Sequence, residues 1–223
     1  MFTLLVLLIV AILVVLFPFL FGELMFASLT KLHLSPNMAL ACVLAIFLGS
    51  LINIPIKSVI RDRDVIEHPL AVYGLASLWP RLQRIRHTTI IAMNVGGCLI
   101  PAALAFYEIV YLAAVSLTGL AAATAGCVAN VVVCYLIARP IAGVGIAMPG
   151  VVSPVVAAVL ALLLAPDNAP PVAFIIGVIG PLVGADCLHL RDVEVSEIGV
   201  VSIGGAGTFD GIVLSGVVAA YLA

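Results

Sequence analysis

Apolar residues follow one another along this chain in long runs instead of alternating with polar residues. Seven runs are long enough, or nearly so, to cross a bilayer as helices, at residues 2–22, 37–56, 89–107, 112–138, 151–165, 171–188 and 199–222. A membrane helix needs about 20 consecutive apolar residues. The pattern therefore predicts an all-α fold, a polytopic membrane bundle of about seven transmembrane helices in a single integral membrane domain over residues 1–223.

The connections between the runs are short, with one exception at residues 57–88. This polar cytoplasmic connection contains an R-D-R-D sequence at 61–64, whose alternating charges predict a solvated, self-paired stretch. The apolar segment at 70–79 is too short to cross the membrane. Because it contains Tyr73 and Trp79, we expect it to lie at the level of the lipid headgroups.

The basic residues are distributed unevenly between the two sides of such a bundle. Only Lys31 follows the first predicted helix, whereas the other eight follow the second, fourth or sixth: Lys57, Arg61, Arg63, Arg81, Arg84, Arg86, Arg139 and Arg191. Cytoplasmic connections of membrane proteins carry an excess of Lys and Arg. We therefore expect a multi-pass protein of the cell (inner) membrane, with its N-terminus in the cytoplasm and its C-terminus outside.

Composition narrows the class of protein further. The chain is 65% hydrophobic and 9% charged, whereas charged residues make up about 25% of an average soluble domain. So low a charge content excludes a soluble globular enzyme, a disordered chain and a nucleic-acid binder. We therefore expect the chain to interact mainly with the lipid bilayer. The five cysteines have no metal-ligand spacing and are expected to be packing residues, so we predict no metal and no cofactor.

Two aspartates lie inside or at the margin of apolar runs, where ionisable side chains are costly and often functional. Asp186 ends the sequence G-P-L-V-G-A-D, and Asp210 follows G-G-A-G-T-F. They are 24 residues apart, on the sixth and seventh predicted helices, which form one hairpin. Glycine pairs at 180/184 and 207/211 are expected to let these two helices pack closely.

This acidic pair supports three interpretations. Two carboxylates in a poorly solvated site cannot both ionise easily, so they can share a proton and activate water, as in aspartyl proteases. Asp186 and Asp210 would then be catalytic, and the partner would be a membrane peptide. The same residues could instead form a proton or cation site in a proton-coupled transporter of a small solute. In a non-enzymatic scaffold, Asp186 would cap a helix end near Arg191, and Asp210 would hydrogen-bond the glycine-rich backbone.

The geometry of the seventh helix separates these interpretations. If the chain is helical from Gly199, Asp210 lies about 16 Å deeper than Asp186, and the carboxylates miss each other. They can meet only if residues 199–207 are extended or re-entrant and the helix begins near Thr208. The glycines at 204–207 favour unwound backbone there. Catalysis needs the carboxyl oxygens within hydrogen-bond or single-water reach.

A weaker set of residues is expected near the same site as candidate substrate-binding groups: Asn94, Asn130, Gly205, Gly207 and Thr208. Convergence of the two asparagines with Asp210 on one cavity would strengthen this prediction, because asparagine in a membrane helix more often joins helices. His189, three residues from Asp186, has the only spacing that resembles a metal site. We expect it on the solvated cytoplasmic rim. The sequence does not determine the oligomeric state.

Four segments resemble a prokaryotic family of polytopic membrane proteins, the domain of unknown function 1614. They are G-S-L-I-N-I-P at 49–55, N-V-G-G-C-L-I-P at 94–101, G-A-D at 184–186 and S-I-G-G-A-G-T-F-D-G at 202–211. The likeness extends over nearly the whole chain. It implies a membrane fold without implying an activity.

A looser resemblance is to the intramembrane aspartyl proteases of the presenilin and signal-peptide-peptidase type. These enzymes place one aspartate on each of two consecutive helices, the second in a Gly-x-Gly-Asp motif. Here the motif is Gly205-Ala206-Gly207, and Asp210 comes two residues late. The first aspartate of those enzymes usually follows a tyrosine, whereas Asp186 follows Ala185. The resemblance implies that Asp186 and Asp210 are the catalytic pair.

Overall fold

The computed structural model describes the chain over residues 2–65, 83–141, 145–190 and 199–223. The predicted headgroup segment at 70–79 lies outside these residues, and so does Arg191. The side chains of the R-D-R-D sequence at 61–64 also lie outside the described part, although its backbone is described.

The described residues are mostly helical, as the sequence predicts. They form seven α-helices: α1 Phe2–Leu29, α2 Pro36–Gly49, α3 Ile100–Val115, α4 Leu117–Ile137, α5 Val152–Leu164, α6 Ala169–Ile179 and α7 Gly211–Leu222. A π-helical turn, Val95–Leu99, leads into α3, and a second one, Gly180–Cys187, continues α6. Short 3-10 turns at Pro166–Asn168 and Gly207–Phe209 precede α6 and α7.

Three helical stretches are long and apolar enough to cross a membrane: Val95–Val115, Leu117–Ile137 and Pro166–Cys187. The described residues also contain four shorter apolar helices, at Leu16–Leu29, Pro36–Gly49, Val152–Leu164 and Gly211–Leu222. A helix of 14 residues measures about 21 Å, whereas the hydrocarbon core of a bilayer is about 30 Å thick. The structure thus has the helices of a membrane protein, three of them of full spanning length.

The boundary between α3 and α4 differs from the prediction, which placed the connection between residues 107 and 112. The helix continues to Val115 because nothing in this apolar stretch interrupts it. Ser116 then adopts an extended conformation, and its hydroxyl accepts a hydrogen bond from the Gly119 N–H. A serine at this position satisfies one of the free N–H groups that every helix start exposes, so α4 begins there.

One end of the bundle carries a β-sheet, which the all-α prediction did not include. Strand β1, Asn53–Val65, pairs antiparallel with β2, Gln83–Asn94. Two short strands, β3 Arg139–Ile141 and β4 Gly145–Ala147, form a separate pair. Strand β5, Gly199–Ile203, joins β2 in parallel and completes a three-stranded sheet in the order β1-β2-β5.

The sheet corrects three of the predicted helices. The helix expected at 37–56 ends at Gly49, the one expected from 89 begins at Val95, and the one expected from 199 begins at Gly211. Proline at position 55 removes the N–H that a continuing helix needs. The segments T-T-I-I at 88–91 and V-V-S-I at 200–203 are rich in β-branched residues, which fit a pleated sheet. Apolar composition alone does not separate such a strand from a helix.

The helix ends separate into two groups. Strands β2 and β5 lead toward the starts of α3 and α7, so these starts lie at the sheet end. At the opposite end, the Lys31 Nζ donates a hydrogen bond of 2.6 Å to the carbonyl of Tyr221, close to the end of α7. His33 contacts Glu108 in the second half of α3. The end of α1 therefore lies beside the ends of α3 and α7, far from the sheet.

Small residues let α6 pack against both of its neighbours. A Cβ at Gly177 would lie 2.7 Å from the Ser215 carbonyl oxygen, so this glycine allows α6 and α7 to touch. Gly180 instead faces the Asn130 side chain, and Gly184 faces the Val131 carbonyl of α4. The predicted role of the 180/184 pair between the last two helices is therefore wrong, because both positions face α4 instead of α7.

Candidate functional site

The chain enters α7 through a strand and a turn. Strand β5 ends at Ile203, a turn occupies residues 204–206, and the helix begins at Gly211. Gly204 and Gly207 have φ angles of +70° and +62°, which side chains rarely adopt. The extended approach that the sequence left open is thus the one in the structure.

Gly204 packs directly on the π-helical turn that precedes α3. A Cβ at Gly204 would lie 2.6 Å from the carbonyl carbon of Gly97, and a Cβ at Gly97 would overlap the carbonyl oxygen of Gly204. Neither position leaves room for a side chain. The two Gly-Gly sequences, N-V-G-G-C and S-I-G-G-A, therefore hold the turn against the start of the third helix.

Asp210 is the N-cap of α7. Its Oδ1 accepts a hydrogen bond of 3.0 Å from the Ile212 N–H, and its Oδ2 accepts one of 3.3 Å from the Ala206 N–H. A carboxylate at a helix start also interacts favourably with the positive end of the helix dipole. Asp210 is half-buried, so the carboxyl group is held firmly and keeps part of its surface open.

Asp186 lies in the π-helical turn that continues α6. Pro181 has no N–H to donate, and Gly180 and Gly184 add flexibility, so regular α-helical winding ends here. The Asp186 Oδ2 accepts a hydrogen bond of 3.4 Å from the Gly204 N–H. Like Asp210, Asp186 is half-buried.

Both aspartates line one cavity of about 450 Å³ at the sheet end of the bundle. Its walls come from β4, β5 and the turn that follows β5, together with Asp186 and Leu190 near the end of the π-helical continuation of α6. The 204–206 turn donates one N–H to each carboxyl group, so both carboxyl groups contact the same short turn. Among the described residues, neither carboxylate has a basic partner within ion-pair distance. The structure thus brings Asp186 and Asp210 together.

Asn94 lies behind this site and is wholly buried. Its Nδ2 donates to the Ser50 carbonyl at 2.8 Å and to the Asn53 Oδ1 at 3.1 Å, while its Oδ1 accepts from the Gly97 N–H at 2.7 Å. The Ser202 hydroxyl donates to the same Asn53 Oδ1 at 2.6 Å. This network ties β1, β2 and β5 to the π-helical turn, and Asn94 is not in the cavity wall.

Asn130 belongs to a second buried network. Its Nδ2 donates to the Ser153 hydroxyl and to the Ile176 carbonyl, both at 3.0 Å. The Ser153 and Ser215 hydroxyls lie 2.7 Å apart. These bonds join α4, α5, α6 and α7, and Asn130 is not in the cavity wall either. The two asparagines therefore do not converge with Asp210 on one cavity.

The three remaining candidate binding residues lie in the turn before α7. Gly205 is exposed and forms part of the cavity wall. Gly207 packs against Ser50, whose Cβ would lie 2.5 Å from a Cβ at this position. Thr208 is buried, and its Oγ1 has no hydrogen-bond partner among the described residues. Only Gly205 of the three lines the cavity.

The expectation that His189 lies on a solvated rim is wrong. His189 is buried, its Nδ1 lies 3.2 Å from the Gly184 carbonyl and 3.0 Å from the Ala185 carbonyl, and its ring stacks on Tyr135. The helix ends here, so the imidazole meets carbonyls that have lost their helical partners. Within the described ranges, no three His, Cys, Asp or Glu side chains are grouped as a metal would require.

The sequence interpretation missed one buried acid. Glu108 is 0% exposed, and its Oε2 lies 2.8 Å from the Nδ1 of His33, while its Oε1 accepts from the His33 N–H. Glu108 lies between the third and fourth predicted helices, in a stretch that the hydropathy pattern predicts to be a connection. Its position inside the apolar sequence A-F-Y-E-I-V-Y is the signal that identifies it, because an acid in such a run needs a partner.

Comparison with known proteins gives one informative match. A family model described as "Protein of unknown function (DUF1614)" matches residues 47–222. No curated protein and no solved structure matches the chain. The looser resemblance to presenilin-type proteases thus gains no support from these comparisons. The matched range contains Asp186, Asp210 and the residues around them, and it begins near the end of α2.

Proposed function

The chain belongs to the family of proteins of unknown function DUF1614, which does not define an activity, and we propose from its acidic site that it is an intramembrane aspartyl-protease-like enzyme. The acidic pair Asp186 and Asp210 forms its catalytic centre. The observation that carries this proposal is the shared cavity, because two carboxyl groups on different elements line one space large enough for water and a peptide segment.

The chemistry follows from two carboxyl groups of which one is ionised and one is protonated. The ionised carboxylate removes a proton from a water molecule as its oxygen attacks the peptide carbonyl carbon. The protonated carboxyl group donates to the carbonyl oxygen. When the C–N bond breaks, the leaving nitrogen takes up the proton that came from water. The other carboxylate takes back a proton from the hydroxyl group that becomes the new C=O, so both carboxyl groups return to their starting states. The N–H groups of the 204–206 turn hold both carboxyl groups in place during these steps.

The cavity wall suggests how an extended peptide would bind. Strand β5 is at the edge of the three-stranded sheet in the described part of the chain, and Val200 to Ile203 line the cavity. Val200 is 66% exposed. An edge strand can pair with an added strand through backbone hydrogen bonds, whatever the peptide sequence. A substrate in this position would pass close to both aspartates.

The same proposal includes the arrangement in the membrane. The described helices alternate between the sheet end and the opposite end, as seven crossings of a single domain would. The sheet end carries Lys57 and Arg139, and from the positive-inside rule we infer that this end faces the cytoplasm. The membrane would be the cell (inner) membrane. The N-terminus is then cytoplasmic and the C-terminus outside.

Proton-coupled transport of a small solute or cation is the second candidate function. It is favoured by the unwound backbone at 204–210 and by the start of α7 beside the cavity, which are features of interrupted helices in transporters. A third alternative, a non-enzymatic scaffold, draws on the hydrogen bond from the Ala206 N–H to Asp210. In that case the carboxylate only stabilises the turn.

Substitution of each aspartate by asparagine tests the protease proposal. The full chain would be reconstituted in liposomes with a fluorogenic transmembrane peptide, as wild type, D186N and D210N. We expect cleavage to fall at least 100-fold in each variant, because an amide can neither accept the water proton nor supply one. Asn is a good N-cap, so D210N should keep the helix start. Asp167 is exposed at the opposite end of the bundle, and D167N is the matched control.

Each alternative gives a different result in the same liposomes. Absence of cleavage together with solute uptake that depends on a pH gradient and is lost in D210N would favour transport. If D186N and D210N change neither peptide cleavage nor solute uptake but both lower the thermal unfolding temperature, the scaffold would be favoured. Cleavage that persists in both variants would overturn the protease proposal.

A further inference from the structure

A groove between α1 and α2 lies on the outside of the bundle and has a volume of about 670 Å³. Its walls are almost entirely apolar and include Phe19, Phe26, Leu40 and Leu44. Glu23 is the one ionisable residue among those that line it. The groove therefore combines an apolar surface with a single carboxyl group.

Glu23 is exposed, and among the described residues no hydrogen-bond donor or basic group contacts it. It lies six residues before the end of α1, about 9 Å along the helix axis. The apolar side chains around it face outward as well, with Phe19 71% and Leu44 54% exposed. A carboxylate that faces lipid at this position is costly unless another group pairs with it.

The described part of the chain does not supply that partner. None of its nine Lys and Arg residues lies within a described helix. Lys31, the basic residue nearest in sequence, already donates to the Tyr221 carbonyl and lies over the Tyr221 ring. A second copy in the same membrane orientation would place its own Glu23 at the same depth, so that two carboxylates would face each other. The complementary charge therefore has to come from a different protein.

We propose that this groove binds a transmembrane helix of another membrane protein, and that this helix carries a lysine or arginine level with Glu23. Gly22 and Ala27 border the groove and allow a helix backbone to come close. A basic residue in the bilayer pairs readily with an acid, and this pairing would decide which helices are accepted. The site is separate from the acidic cavity and does not depend on the proposed catalytic function.

The test uses synthetic helices of leucine and alanine with one central lysine, and matched helices with alanine in its place. Each dye-labelled peptide would be incorporated in liposomes with the labelled full-length chain, and association would be measured by energy transfer. We expect the lysine helix to bind the wild type at least tenfold more tightly than the alanine helix. E23Q should abolish this difference, whereas E23D, which keeps the carboxylate, should retain most of it.

Two results would overturn the proposal. One is equal binding of the two peptides to the wild type, or unchanged selectivity in E23Q. The other is efficient cross-linking of two copies through L44C, a groove position that leaves Glu23 in place, in a background without the native cysteines; if it persists in excess lysine helix, the groove is a site of self-association. Because Glu23 is exposed, E23Q should unfold at the same temperature as the wild type, which separates lost binding from lost folding.

Discussion

Several buried polar side chains in this protein have partners from distant parts of the sequence. Glu108 is enclosed in α3, and both of its oxygens are used by His33, which is 75 residues away. The His33 ring also stacks on Tyr111 at 3.7 Å, and the Tyr107 hydroxyl donates to the His33 carbonyl. These contacts secure the connection between the first two helices to the third.

Removal of the imidazole should destabilise the protein, because H33A leaves the buried Glu108 carboxyl without its Nδ1 partner. We expect a loss of about 2 kcal/mol in the free energy of unfolding. The double variant H33A/E108Q should be more stable than H33A alone, since a neutral amide is easier to bury than a carboxylate. Thermal unfolding in detergent measures both. A double variant that is less stable than H33A would contradict the explanation.

Asn94 allows a second prediction at the scale of single residues. N94A removes three hydrogen bonds and leaves the buried Gly97 N–H without an acceptor, so we expect a loss of about 2–3 kcal/mol. Asn168 is the matched control, because its side chain makes no capping hydrogen bond at the start of α6. N168A should change the free energy of unfolding by less than about 0.5 kcal/mol. Equal effects of the two substitutions would argue against the network.

At the scale of elements, the segment from β5 to α7 decides the geometry of the candidate site. A helix that began at Gly199 would have carried Asp210 away from Asp186. Pairing of β5 with β2 keeps this segment extended, and the turn with the left-handed Gly204 and Gly207 then leads into α7. The start of α7 is thereby placed beside the π-helical turn that carries Asp186.

Alanine at position 204 should disrupt this arrangement. The substitution combines an unfavourable φ of +70° with a Cβ that overlaps the Gly97 backbone, and we expect a loss of about 2–4 kcal/mol. The cavity should be affected together with the fold, so G204A should lose any activity that depends on Asp210. Gly150 has ordinary φ and open space around its Cα. G150A is therefore the control, and comparable stability of the two variants would contradict the proposed role of the turn.

At the scale of the whole molecule, the alternation of helix ends makes a prediction about sidedness. Cys187 is exposed near the sheet end, and Asp167 is exposed at the opposite end. In a background without the other four cysteines, Cys187 should react with an impermeant maleimide only from the cytoplasmic side. In a chain whose single cysteine is D167C, the reaction should occur only from outside. Labelling of both positions from the same side would exclude the seven-crossing arrangement.

Much of the fold could be predicted because the information is local. Apolar runs of about 20 residues identify membrane helices without reference to the rest of the chain. The same rule failed at the sheet end, where the β-branched segments of β2 and β5 are as apolar as a helix. Their conformation depends on pairing between residues more than 100 positions apart, such as Thr89 with Gly199. Local composition contains no measure of that pairing.

The sequence by itself determined the class of protein and the residues that are unusual in it. A chain with so few charges has to place most of its surface against lipid, and an aspartate in such a chain is conspicuous wherever it lies. Only the tertiary structure decided that Asp186 and Asp210 share a cavity while Asn94 and Asn130 belong to separate networks. Hydropathy is a property of each residue and its neighbours, whereas a shared cavity depends on how distant strands, turns and helices pack.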